Sequence, residues 1–543
     1  MTDSGVPPVF VQPLDPLGSG WASALVAAIP ILIFMLCLVV LRLSGIIAAL
    51  IALVAEVVVA LTEFGMPAGS VAGAGLLGFL NAIWPIAYII VMAVWLYRLS
   101  VASGRFEVIR SSIGGVSLDQ RIQVLLIAFG FGGFLEGAAG FGVPIAICAA
   151  LLVQLGFKPV KAAMLCLVAN VGAGAYGAVG IPVIVGAQVG GVDLTTLSHN
   201  LVMLLQPLTF LVPFLLVVIV DGWRGLRETW PAALVVSIVF SGLQAGALWF
   251  LGPELADIGS GLGAMIAVFL LGRVWQPRRI FREDGGVAPV SARHTLGQIA
   301  VAWSPFYILT GFILVWSLPW FKNLFVPGGA FAGAVVNVSI PGVTNDITTA
   351  SGAVVTAQWA FTPVNATGTA ILLAVIVSFF TMPKLGASVL FREFVATVRS
   401  LWVALALIAA ILVLANIANY SGGSATIGSA LAAVGKWFPL LAPVIGWFGV
   451  FITGSVVNNN TLFAQLQVTT AKNIGVEPAL LIAANTAGGT AAKVVSPQSI
   501  AIAAGAVGLV GREGEILRAS IGYSLGMLAV ICLWGFALAQ WLA

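Results

Sequence analysis

Three ionisable residues of this chain lie inside long apolar stretches: Glu56, Glu136 and Lys493. A charge at the centre of a bilayer costs at least about 2.5–3.5 kcal/mol, so a charge kept at that depth points to function. Glu136 stands in Glu136-Gly137-Ala138-Ala139-Gly140-Phe141-Gly142-Val143-Pro144, and Lys493 stands one turn before Ser496-Pro497-Gln498. An ammonium there can hold a carboxylate, and a carboxyl in a dehydrated turn can carry a proton. A third polar group is Thr453-Gly454-Ser455-Val456-Val457-Asn458-Asn459-Asn460-Thr461. Buried amides are costly unless paired. They offer donors to a hydroxyl or carboxylate and acceptors to a cation. Each group also has a purely structural reading. Glu136 and Lys493 could lock two segments together as an ion pair. One Asn would be enough to cap a helix. Glu56, one heptad before Glu63, could simply face a polar neighbour.

The elements that must position these residues follow from composition. Of 543 residues, 60% are apolar and 8% charged, and the mean hydropathy is +1.12. Soluble domains carry about 25% charged residues, so an ordinary soluble enzyme is excluded. The chain reads as an all-α polytopic membrane protein. Twelve spanning helices are expected near 22–42, 44–63, 71–97, 161–190, 200–220, 230–251, 254–272, 299–317, 366–382, 401–419, 478–510 and 518–541. Two further stretches, 122–157 and 439–473, are too long for one span and are interrupted by Gly or Asn clusters. They read as re-entrant helical hairpins, which are tolerated only when buried in protein or lining a cavity. Spans 161–190 and 478–510 read as broken helices. Gly172, Gly174, Gly177 and Gly180 precede Pro182 in one, and Gly488 and Gly489 precede Pro497 in the other. Half-helix N-termini at such breaks present free N–H groups and a partial positive charge, a seat for an anion. Close helix packing is the alternative use of these glycines.

Of 23 Lys and Arg residues, 19 fall in connections on one side, among them Arg121, Lys158, Lys161, Arg279, Arg282, Arg293 and Lys384. Lys322, Lys436 and Lys472 fall on the other. The positive-inside rule then puts both termini outside the cytoplasm. Hairpin 122–157 enters from the cytoplasm and hairpin 439–473 from outside. The N-terminal residues carry Asp3 and Asp15 but no basic residue before the first span, so no cleavable signal peptide is expected. The chain divides into an extracytoplasmic tail (1–21), a first half (22–251), a linking span and cytoplasmic loop (252–298) and a second half (299–543), all one transport domain.

The halves are related. Phe131-Gly132-Gly133-Phe134-Leu135-Glu136-Gly137 matches Phe448-Gly449-Val450-Phe451-Ile452-Thr453-Gly454, and Asn170, Gly174 and Pro182 match Asn485, Gly489 and Pro497. With opposite orientations, this is an inverted repeat with two broken helices, an architecture recurrent in secondary transporters whose sites lie at the midplane. Gly172-Ala173-Gly174-Ala175-Tyr176-Gly177 fits a dinucleotide fingerprint with Asp193 beyond it. It lies in a span, not in a strand–turn–helix unit. The four cysteines make no paired spacing, and His199 and His294 fall in connections. No metal, cofactor or nucleic-acid partner is expected.

The segments FLEGAAGFGVPIAI (134–147), LGFKP (155–159), VDGWRGLRETWPA (220–232), GPELADI (252–258), NATGTAILLA (365–374), ANYSG (418–422) and KVVSPQSIAIA within 446–508 resemble the bacterial L-lactate permease family. The resemblance implies uptake of L-lactate and related 2-hydroxymonocarboxylates, such as glycolate and D-lactate, with a proton across the bacterial inner membrane. It implies an ion-transporter, elevator-like fold and admits a homodimer. It places Glu136, read above as able to carry a proton and taken here as the proton-coupling residue, at a family position. Lys493, Ser496, Gln498, Gly137, Gly140 and Gly142 fall at family positions, with Pro497. Asn458, Asn459, Asn460, Gly488 and Gly489 complete the expected substrate site. One departure matters: where the family's second tip usually carries an aspartate, this chain has Val456. A sodium-coupled carboxylate carrier and an anion channel are the rival readings. A membrane enzyme is disfavoured, since no buried His, paired carboxylates or reactive Cys constellation stands out.

Overall fold

The computed structural model describes residues 10–283, 294–383 and 385–542. Residues 1–9 of the expected tail, with Asp3, and the basic residues Arg293 and Lys384 lie outside them.

Long apolar runs become helices because lipid offers the backbone no hydrogen-bond partner. The first spans are α1 (Gly20–Val39), α2 (Gly45–Thr62) and α3 (Ala68–Ala102), followed by the connecting helix α4 (Arg105–Gly114). The stretch expected as the first hairpin is α5 (Gln120–Ala138), a four-residue break and α6 (Val143–Gln154). Then come α7 (Pro159–Gly172) and α8 (Gly177–Gly190), bent by 48°. They are followed by α9 (Leu194–Phe250), α10 (Pro253–Val274), α11 (Leu296–Ser317), α12 (Thr367–Phe380), α13 (Ala387–Ser421) and α14 (Gly423–Leu431). The second hairpin stretch is α15 (Phe438–Thr453) and α16 (Val456–Ile474), and the second broken stretch is α17 (Pro478–Lys493) and α18 (Pro497–Ala506). The last helix is α19 (Glu513–Leu542).

Among the described residues ten helices are long and apolar enough to cross a membrane, or eleven if α7–α8 counts as one span. Two of the ten, α5 and the run Gly423–Thr453 (α14 with α15), belong to or run into the stretches expected as hairpins, and the twelve expected spans are reduced for physical reasons. α12 has 14 residues, and a span needs roughly 20. Stretch 478–510 splits into helices of 16 and 10 residues. Spans 200–220 and 230–251 merge into α9, 57 residues long. That helix folds back on itself where Asp221, Gly222 and Thr229 leave helical dihedrals. His199 Nε2 ends 3.1 Å from the Trp249 carbonyl oxygen, and Gln206 donates to Gln244 Oε1 at 2.9 Å.

The fold is predominantly helical, and two small sheets lie outside the helices. Strands β1 (Phe10–Val11), β2 (Val336–Ser339), β3 (Ile347–Thr348) and β4 (Gln358–Phe361) form two small sheets, β1 parallel to β3 and β2 antiparallel to β4. They occupy the tail and the connection 318–365.

The main apolar core draws on both halves, with Phe129, Phe131, Phe134 and Phe240 from the first and Phe438, Trp447 and Val450 from the second. Outward faces expose Leu25, Leu32, Val54, Phe250 and Trp541, as lipid-facing helices must. Connections that the charge rule assigns to one side do meet. Arg121, fully buried, binds Asp119 at 2.7 Å, Asp221 at 3.0 Å and Glu228 at 2.7 Å, and Arg279 binds the same Asp221 and Glu228. The hydrogen bond from Arg121 is the main cause that pulls the Glu228 pKa down to about 2. The tail and the connection 318–365, assigned to the other side, also meet, through β1 and β3.

Candidate functional site

Four breaks converge on a cavity of about 60 Å³. Glu136, Gly140, Phe141 and Gly142 come from the α5–α6 break, and Gly174, Gly177 and Ala178 from the α7–α8 break. Gly454, Ser455, Val456 and Val457 come from the α15–α16 tip, and Lys493, Gln498 and Ser499 from the α17–α18 break. The chain reverses at Gly142 (φ +83°) and Gly454 (φ +70°), a backbone region that favours glycine. Ala178 and Val179 are held there too, at φ 47° and 61°. That costs of order 1–3 kcal/mol per residue and persists only where the surroundings impose it.

Helices α6, α16 and α18 all begin at this cavity, with Gly142, Ser455 and Ser496 as their N-caps. Ser455 Oγ accepts from Asn458 N at 3.4 Å, and Ser496 Oγ accepts from Ser499 N at 3.3 Å. Pro144 and Pro497 have no N–H and Val143 N donates to the Gly140 carbonyl at 3.0 Å, so the first-turn donors left without a helical acceptor are those of Ile145, Val456, Val457 and Gln498. Three helix starts around one space give it a positive potential.

Lys493 Nζ donates to Glu136 Oε1 at 2.8 Å, and Asn170 Nδ2 donates to Glu136 Oε2 at 2.8 Å. The ion pair left open by the sequence therefore forms, and it forms in the wall of the cavity. A Cβ on Gly177 would collide with the Glu136 carboxylate. Gly177→Ala should displace that carboxylate and cut transport at least about tenfold, in protein whose melting temperature moves little, because the chain has room to yield toward the cavity. Transport at the wild-type rate would contradict this.

The structure sorts the expected site residues. Glu136, Gly140, Gly142, Lys493 and Gln498 line the cavity. Ser496 is buried beside it as the α18 cap. Asn458, Asn459 and Asn460 do not line it. Asn460 donates to the Pro182 carbonyl at 2.9 Å and accepts from Asn485 Nδ2 and Thr486 Oγ1, each at 3.1 Å. Asn459 Nδ2 reaches the Asn485 carbonyl at 3.4 Å. These two amides brace the tip against the broken helices, while Asn458 Oδ1 is buried with no partner among the described residues. Gly137 packs against Asp257 and Ile258, Gly488 against the Pro443 backbone and Gly489 against Val450. Gly488→Ala should wedge α17 from α15 and destabilise the fold by about 1–3 kcal/mol, seen as a lower melting temperature in detergent. Glu56 is buried in α2, away from the cavity lining.

Sequence reasoning missed Asp257. It lies near the start of the expected span 254–272, yet it is 1% exposed and accepts from Gln244 Nε2 at 2.8 Å. Its setting in Leu255-Ala256-Asp257-Ile258 was the available signal. Val457, Ala178, Ser499 and Ile502 also line the cavity without having been singled out.

Apolar helices surrounding a small, charged and helix-capped cavity define a polytopic α-helical membrane protein with a buried polar site. The family model for L-lactate permease matches residues 23–542. The chain belongs to the L-lactate permease family. It is 45% identical to an L-lactate permease of Halalkalibacterium halodurans, over 98% of this chain and 99% of that one. It is 44% identical to glycolate permease GlcA of Escherichia coli, over 96% of each chain. An L-lactate permease of Salmonella typhimurium is 45% identical over 95% of this chain and 96% of its own.

Proposed function

We propose that this protein is a secondary transporter that carries L-lactate, and related 2-hydroxymonocarboxylates such as glycolate, across the bacterial inner membrane together with a proton. The observation that carries this reading is the shared cavity, where Lys493 and three helix N-termini face one space and the lysine is already held by Glu136.

The coupling follows from charge. Lys493 has one carboxylate partner in the empty site. An arriving substrate carboxylate would make two, which a dehydrated site disfavours. A proton on Glu136 breaks the ion pair and frees Lys493 for the substrate. The loaded site then holds one more anion and one more proton than the empty one, so its net charge is unchanged and crossing is not opposed by a new charge. Asn170 stays within reach of Glu136 in either protonation state. Gln498, at the start of α18, is the donor we assign to the substrate hydroxyl.

Support for the inverted repeat comes from matched contacts. Asn170 binds Glu136 in the first tip, and its counterpart Asn485 binds Asn460 in the second. An elevator movement of these broken elements belongs to the same proposal. The test is uptake of labelled L-lactate into proteoliposomes with an inward proton gradient and no sodium. Uphill accumulation that collapses with an uncoupler is expected. Accumulation that requires sodium, or flux that never exceeds equilibrium, would overturn the reading.

A further inference from the structure

The cavity wall holds one ammonium but, with Asp257 behind it, two carboxylates. Asp257 lies at the start of α10, and a Cβ on Gly137 would fall 2.7 Å from its own Cβ. Gly137 directly follows Glu136, which is itself paired with Lys493 at 2.8 Å. Asp257 Oδ1 accepts from Gln244 Nε2 at 2.8 Å. Gln244 is itself fixed by the Gly172 carbonyl at 2.9 Å and by Gln206 at 2.9 Å. Asp257 Oδ2 is buried without a hydrogen-bond partner among the described residues, and so is the Tyr176 hydroxyl. The ionisable groups around Asp257 are Glu136 on α5, next to the Gly137 that packs against it, Lys493 on α17, paired with Glu136, the buried Tyr176 in the α7–α8 break, and Glu254 on the preceding turn.

Lys493 is committed to Glu136 by a direct contact. A second buried carboxylate with no cation of its own is costly as an anion, and as an acid it is neutral. We propose that Asp257 is the second proton-binding carboxylate of this site. It holds a proton on Oδ2 while Glu136 is paired with Lys493. As the Asp257 O–H breaks and a Glu136 O–H forms, Lys493 is released from Glu136 and engages the substrate carboxylate. Asp257 is then reprotonated from water. Asp257 is in this sense the reservoir and Glu136 the switch. The step rests on the proton-coupled reading above, whereas the resident proton on Asp257 does not.

Two measurements on the full-length protein test this. In the first, the substrate-free wild type is treated with dicyclohexylcarbodiimide, which modifies protonated carboxyls in apolar surroundings, and labelled peptides are mapped by mass spectrometry. Label on Asp257, with little on Glu136, is expected. Absence of label from Asp257 would overturn the proposal. In the second, Asp257→Asn is reconstituted and accumulation is compared under a one-unit pH gradient. The wild type should approach about tenfold accumulation for one proton per anion. The variant should fall toward unity and lose the pH dependence of its downhill flux. A variant that is merely slower, with the wild-type accumulation ratio and pH profile, would overturn the proposal. If wild-type accumulation follows sodium instead, the transport reading fails, and the labelling still reports on the proton of Asp257.

Discussion

Lys493→Ala will raise the half-saturation concentration for L-lactate uptake by about tenfold to a hundredfold. A charge-assisted hydrogen bond to a buried anion is worth roughly 1.5–3 kcal/mol, and Lys493 is the one cation lining the cavity among the described residues. The single substitution also strands Glu136, 2% exposed. Removing one partner of a buried pair costs about 3–5 kcal/mol unless the survivor neutralises. Loss of uptake alone would therefore confuse binding with folding. The double variant Lys493→Ala with Glu136→Gln separates them. Replacing both partners of a buried pair is often close to neutral for stability. The double variant should melt near the wild type and still fail to bind lactate, measured by scintillation proximity in detergent. If it transports like the wild type, the pair is only a structural lock.

Glu136→Gln will uncouple transport. The amide keeps the size of the side chain and can still pair with Asn170, but it cannot carry a proton away. Lys493 is then permanently free. Lactate should bind at least as tightly as to the wild type, with an affinity that no longer varies between pH 6 and pH 8. Counterflow exchange should persist, while uphill accumulation under a proton gradient falls to equilibrium. Retained accumulation in this variant would move the coupling role elsewhere, with Asp257 the next group to examine.

Much of this arrangement is legible in the sequence because the membrane limits the alternatives. A charge among twenty apolar residues needs a reason, so Glu136 and Lys493 stand out, and both line the cavity. Glycine and proline clusters mark breaks, and the breaks lie at Ala139–Gly142, Gly454–Ser455 and Val494–Ser496. What the sequence hides is which face of an element a residue occupies. Asn458, Asn459 and Asn460 look alike in a row, but a helix turns by 100° per residue. Asn459 and Asn460 thus point into the contact between α16 and α17 rather than into the cavity. Gly488 and Gly489 mark a site by type and serve as a packing seam by position. Asp257 was hidden by its place near the start of α10, where an acidic residue ordinarily complements the helix dipole. The small sheets were hidden because two-residue and four-residue strands leave no periodic signal.

In the proposed cycle the substrate carboxylate and a proton enter together because Lys493 must be released from Glu136. The most direct measurement is proton uptake by the purified protein as L-lactate binds, followed with a pH-indicator dye in weakly buffered detergent solution near pH 7. About one proton taken up per lactate bound, and none in Glu136→Gln, is the predicted result. Lactate binding without proton uptake in the wild type would contradict the account.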